Sequence, residues 1–166
     1  MRTVVAIDVV ALVGACGSKE PSQAEFIESW RDATDFFKRA MRENFETPFE
    51  RPSPTVGIVE ARRQLAEYVR EGAKRLDPAI GKMESIRIPM NEPLCADLKE
   101  ASLEYLKHLR STFLADADAI EKGLARRDDT SDKERLRELD TRLREAALAI
   151  GVDASDYHAT TRELLE

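Results

Sequence analysis

From Phe26 onward the apolar residues recur at every third or fourth position, and this period limits what the chain can fold into. Phe26, Trp30, Ala33, Phe37 and Met41, closed by Phe45, lie on one face of a helix of about six turns. Beyond the first fifteen residues no segment carries a β-branched run or alternates with period two, so a strand would find no sheet to join. The composition agrees: 166 residues hold only 7 Gly, 7 Pro and 6% aromatics beside abundant helix formers. At about 100 to 200 residues per domain the body is one domain, large enough to hold a core without disulfides.

Breaks in the period set the expected elements. Ser22 precedes Glu25 by three, a capping-box pattern that opens a first helix. Pro48, Pro52 and Pro54 end it. A second helix is predicted from about Val56 to Leu76, with Ile58, Ala61, Leu65, Tyr68 or Val69, Gly72 and Leu76 on its face, stopped by Asp77-Pro78 and Gly81. Residues 77–92 read as a packed connection containing a short helix, with Ile80, Met83, Ile86, Ile88 and Met90 covering one end of the fold. A third helix opens near Asn91-Glu92-Pro93 and runs to about Arg126 behind Leu98, Tyr105, Leu106, Leu109, Phe113, Ala117, Ile120 and Leu124. After a turn at Asp128-Asp129-Thr130, Ser131 and Glu134 form a second capping box. The fourth helix carries Leu136, Leu139, Leu143, Ala146 and Ile150 and ends at Gly151, and a short last helix turns Tyr157, Thr161 and Leu164 inward. The expected fold is all-α, an up-down bundle of about four helices.

Charge narrows the function. There are 26 Lys and Arg against 32 Asp and Glu, for a net charge of -6. A nucleic-acid binder is ordinarily basic with a clustered stripe, so nucleic acid is not an expected partner. Arg135, Arg137, Arg142 and Arg144 interleave with Glu134, Glu138, Asp140 and Glu145, the pattern of a solvated face laced with i, i+3 and i, i+4 pairs.

The ligand inventory disfavours an enzyme. A di-iron bundle needs Glu-x-x-His on two helices, but Glu104 precedes His108 by four and His158 follows no Glu at that spacing. Covalent haem needs Cys-x-x-Cys-His, which does not occur. Met41, Met83 and Met90 stand at apolar positions, where methionine usually fills a core. No serine sits in Gly-x-Ser-x-Gly or Ser-x-x-Lys. No catalytic residue, cofactor or metal is expected.

The first fifteen residues are a different kind of segment. Met1-Arg2 gives a positive end, Thr3 to Val13 an apolar run, and Gly14-Ala15 a small-residue close, the three parts of a secretory signal. The run is too short for a stable membrane span, which needs about 20 residues. Asp8 interrupts it at a cost of about 2.5 to 3.5 kcal/mol, which seven flanking Val, Ile and Leu residues at about -0.3 to -0.6 each roughly offset. Val4-Val5-Ala6-Ile7-Asp8-Val9-Val10 also reads as a buried strand, and Gly14 to Lys19 as a phosphate loop, but the strand has no sheet to join and the loop lacks P-loop spacing.

Val13-Gly14-Ala15-Cys16 resembles the lipobox of bacterial lipoproteins. The resemblance covers residues 1–16 alone and implies cleavage between Ala15 and Cys16, transfer of a diacylglycerol with palmitate-type chains to the Cys16 sulfur, and a mature chain that begins there. Residues 1–15 would be the signal peptide, 16–24 the lipidated cysteine with a polar tether, and 25–166 the bundle. Several acyl chains hold a protein on a membrane without a spanning helix. The expected protein is a lipid-anchored component of the bacterial cell envelope in a non-catalytic binding or structural role, with a protein partner or a second copy. The alternative is a cytoplasmic helical interaction module with an uncleaved N-terminus.

Two further residues are candidates for function. Phe36 stands off the main stripe beside Phe37, as a partner-surface aromatic would. Cys95 becomes the only free thiol once Cys16 is acylated, and it occupies a helix first turn, where thiols gain reactivity. Its position on the Leu98 and Phe113 stripe favours a small buried hydrophobe.

Overall fold

A computed structural model describes residues 20–124 and 130–165. Among them six helices occur, α1 (Gln23–Glu46), α2 (Ile58–Lys74), α3 (Asp77–Ser85), α4 (Pro93–Lys122), α5 (Thr130–Ala149) and α6 (Ser155–Leu165), and no strand. The all-α reading holds, with six helices in place of about four. The connection and the C-terminal segment each contribute one.

Contacts along α4 set the direction of every neighbour. Lys99 Nζ donates to the carbonyls of Glu84 and Ile86 at 2.8 and 2.6 Å, Arg110 meets Asp77 at 2.6 Å, and Arg70 meets Asp118 at 2.9 Å and also Glu121. Partner numbers fall as α4 numbers rise, so α2 and α3 both run antiparallel to α4. Together they form one column broken at Asp77-Pro78, because Pro78 has no N–H to continue the ladder of α2. The same test makes α5 antiparallel to α4, through Arg142 on Glu100 and Glu104 (3.1 and 2.6 Å) and His108 on the Asp132 carbonyl (3.2 Å). Trp30 on Ser102 and Phe37 on Tyr105 make α1 parallel to α4. The columns therefore alternate up, down, up, down, up around α4.

The apolar period is cashed in at the centre. Phe26, Trp30, Ala33, Phe37 and Met41 are buried together with Leu98, Tyr105, Leu106, Leu109, Leu136, Leu139 and Leu143. Four aromatic rings meet there: Phe37 stacks on Tyr157 at 4.5 Å between centroids, and Tyr105 stands edge-on to both at 6.0 and 5.3 Å, with Trp30 6.1 Å from Tyr157. Their polar handles are satisfied inside. Trp30 Nε1 donates to Ser102 Oγ at 2.9 Å, and Tyr105 OH donates to the Tyr157 carbonyl at 3.1 Å, the condition for burying such rings cheaply.

Local signals set several ends. Ser22 Oγ accepts from Glu25 N–H at 3.2 Å while Glu25 Oε2 accepts from Ser22 N–H at 2.6 Å, completing the first capping box. Gly151 (φ 73) ends α5 with Val152 N–H on the Ala147 carbonyl and Gly151 N–H on Leu148, the Schellman pattern.

Elsewhere the structure departs from expectation. Helix α4 stops at Lys122, four residues early, because Gly123 takes φ 65 and closes a second Schellman turn. Ser131 lies inside α5, which has begun at Thr130, so it is not the N-cap. Helix α2 begins at Ile58, whose side chain is exposed with Val59. Its buried face is Ala66, Gly72 and Ala73. Phe45, Ile88, Met90 and Leu124 are exposed, not core. The turn at Asp128-Asp129 lies outside the described residues.

Candidate functional site

Three surface features come out of this packing. One is polar, on the α5–α6 face; one is an apolar groove at the end where α1 and α2 meet; one is the end where the chain enters the bundle.

The polar feature starts from Asp140. Leu136, Asp140, Leu143 and Ala147 follow one another at spacings of four, three and four, so the carboxylate occupies the seam of α5 that faces its neighbours, and α6 closes over it. It is buried, not part of the solvated face expected of it, and is the only buried charged side chain among the described residues. His158 Nδ1 donates to Asp140 Oδ2 at 2.9 Å, and Arg144 Nε lies 3.4 Å from the same oxygen. Asp140 Oδ1 has no hydrogen-bond partner among the described residues. Around the pair opens a hollow of about 490 Å3 rimmed by Arg137, Arg144 and Arg162, with Thr141 and Thr161 on its wall.

A His–Asp pair of this kind orients an imidazole, but nucleophilic catalysis also needs a hydroxyl or thiol within reach of the ring. Thr161 Oγ1 is engaged with the Tyr157 carbonyl at 3.0 Å and Tyr105 OH at 2.9 Å, Thr141 Oγ1 donates to the Arg137 carbonyl at 3.0 Å, and no serine or cysteine lines the hollow. Chemically the site presents cationic groups around a fixed imidazole.

The apolar groove, about 200 Å3, lies among Phe45, Tyr68, Val69, Phe113 and Leu164. Gly72 lets α1 approach α2 here: a Cβ at this position would sit 3.3 Å from Asn44 Oδ1, whose amide donates to the Gly72 carbonyl at 3.2 Å. Tyr68 OH donates to the Thr47 carbonyl and its ring packs 5.4 Å from Phe49, tying the proline-rich segment to α2.

No family model, curated protein or solved structure matches the chain. The site is therefore read from its own residues.

The candidates chosen from sequence fall in separate places. Cys16 lies outside the described residues. Phe36 is 37% exposed, with the Arg39 guanidinium 5.4 Å from its ring centre, on the solvent side of α1. Cys95 is fully buried in the core, and burial, aided by the adjacent Glu92 carboxylate, pushes its thiol up from the ordinary value, the direction that quenches reactivity. Phe36 and Cys95 are not brought together, one being on the surface and the other in the core. The feature that sequence reasoning missed is Asp140 with His158, and the signal that could have found it was the acid standing in a heptad row of Leu and Ala. Among the described residues no three His, Cys, Asp or Glu side chains converge as a metal would require, and no helix is long and apolar enough to cross a membrane.

Proposed function

We propose that this chain is a lipid-anchored protein of the bacterial envelope, acylated at Cys16 after removal of residues 1–15, whose bundle serves a non-catalytic binding or structural role. The observation that carries the reading is the spacing between address and fold. The apolar run and its small-residue close lead up to Cys16, and α1 is capped at Ser22, six positions on, so cleavage before Cys16 leaves every helix among the described residues whole. Acyl chains on one residue then hold the domain to a bilayer without a spanning helix. The non-catalytic part is supported by the polar hollow, whose two threonine hydroxyls each donate to a backbone carbonyl and not to the imidazole.

Intact mass of the protein made in a bacterial host tests this directly, with wild type and Cys16→Ala compared in membrane and soluble fractions. A membrane-bound wild-type chain that begins at Cys16 and carries added acyl mass, lost in the variant, is the expected result. A soluble wild-type chain beginning at Met1 overturns it and moves the protein to a cytoplasmic interaction role.

A further inference from the structure

The chain enters the bundle beside a turn that holds apolar side chains out of the core. Between α3 and α4, Ile86 and Pro89 are buried, while Ile88, Met90 and Leu94 are 43%, 66% and 42% exposed. The turn is built, not frayed. Lys99 Nζ, reaching up from α4, clamps the carbonyls of Glu84 and Ile86 at 2.8 and 2.6 Å, and Asn91 adopts a left-handed φ of 63 that swings the chain back into α4. With Ile86 and Pro89 fixed inward, the residues between and after them have nowhere to go but out.

Pro21 lines the same cleft as Ile86, Arg87 and Lys82. Only five positions separate it from Cys16, and a chain spans at most about 3.3 to 3.6 Å per residue, so the tether reaches no further than about 18 Å. Val59 and Leu124 are also exposed, but they sit at the far end of the 30-residue α4, which at 1.5 Å per residue is about 45 Å long. A surface to which Cys16 is fixed meets them only if the bundle lies along it.

We propose that the bundle stands end-on upon the lipid bilayer, with the 87–92 turn and the first turn of α4 as its foot and Ile88, Met90 and Leu94 entering the interface. This rests on the acylation of Cys16 and adds to it an orientation and a second contact. The acyl chains hold the chain to the bilayer, and apolar side chains inserted beside them add buried area and fix how the bundle stands. The charge around the foot is mixed: Arg87 and Lys82 are exposed there, Glu25 lines the same cleft, Glu92 lies half-buried in the turn, and Glu84 is paired with Lys107 at 2.7 Å. Standing this way, the bundle holds the α1–α2 groove and the far ends of α2 and α4 away from the membrane.

The test uses an environment-sensitive NBD probe on the acylated chain in vesicles of phosphatidylethanolamine and phosphatidylglycerol. Met90→Cys carries the probe at the foot and Leu124→Cys at the far end, each with Cys95→Ala so that one thiol is labelled, and intact mass first establishes acylation of Cys16. Both positions are exposed, and Ile88→Cys serves as a second foot position should Met90→Cys not fold. The expected result is a blue-shifted, several-fold brighter probe at 90, quenched by spin-labelled lipid, with a water-like probe at 124. An acylated, vesicle-bound protein whose probe at 90 is as wet as that at 124, or in which both are quenched, overturns the end-on foot and leaves the anchor standing. A chain without acyl mass at Cys16 overturns the anchor and the foot with it.

Discussion

His158 Nδ1 lies 2.9 Å from Asp140 Oδ2 and joins α6 to the only buried charge on the described surface of the bundle. The Asp140 carboxylate is buried, and its partners among the described residues, His158 and Arg144 at 3.4 Å, both meet the one oxygen Oδ2. Such a group costs more when a partner is removed than when the charge itself is replaced. His158→Ala should lower stability by about 1 to 2 kcal/mol, below the full penalty for a broken buried pair because the imidazole is half exposed. Asp140→Leu should be neutral or stabilising, since it extends the Leu136 and Leu143 row. Urea unfolding of both variants checks the signs; equal losses would mean that the pair contributes to stability as a unit.

Trp30 offers a second measurement inside the core. Its indole N–H donates to Ser102 Oγ, which in turn donates to the Leu98 carbonyl at 2.8 Å. Ser102→Ala leaves the buried N–H without a partner, for an expected loss of about 1 to 3 kcal/mol. Trp30 is the only tryptophan, so its fluorescence reports directly on this site during denaturant unfolding. A variant as stable as wild type would mean that water or another acceptor takes the place of the hydroxyl.

How much of this was legible beforehand depended on whether the deciding contact was local. The α1 stripe and the Ser22 and Glu25 cap lie within a few residues of each other, and they were readable as they stand. Gly151 was readable because an apolar period stops at it. Gly123 was not, because it sits among charges and no period ends there, yet its left-handed φ is what stops α4. The exposure of Ile88 and Met90 was invisible because the burial of Ile86 and Pro89 and the Lys99 clamp decide it from outside the segment. Asp140 failed for a related reason: Arg137, Glu138, Arg142 and Arg144 interleave with it in sequence, and the docking of α6, eighteen positions away at His158, covers it.

Phe36 and Phe37 are adjacent and should behave as opposites. Phe37 is fully buried against Tyr105 and Tyr157, so Phe37→Ala should cost about 3 to 5 kcal/mol. Phe36 meets the Arg39 guanidinium on the surface, a contact of about 0.5 to 1 kcal/mol, and Phe36→Ala should cost no more than that. Thermal and urea unfolding separate the two. A loss of several kcal/mol at Phe36 would place its ring in the core and remove it as a partner-surface residue.

Cys95 should be silent in the native protein. Its thiol is buried and pushed up by burial and by Glu92, so little thiolate is available and no reagent reaches it. In the Cys16→Ala chain, which has this one thiol, a disulfide reagent should label less than a tenth of the protein while it is folded and one equivalent after denaturation. Rapid native labelling would show that the first turn of α4 opens.

Alkaline pH should attack the same core through its tyrosines. Burial is the main cause that pushes the Tyr105 and Tyr157 phenols above their ordinary value of 10.0; hydrogen bonds from Thr161 and Thr34 oppose it in part, and the charges of Asp140 and Asp156 add to it. Above that ordinary value the unfolded chain releases these protons while the folded chain keeps them, so the folded state binds more protons and its stability falls as pH rises. The contribution is complete below pH 10 and is lost progressively toward the raised native values. Two of the three phenols should therefore ionise only together with the loss of helical circular dichroism, and phenolate absorbance followed in the same titration checks it. Ionisation of all three before any loss of helix would mean that water enters the ring cluster of Phe37, Tyr105 and Tyr157 while the bundle is still folded.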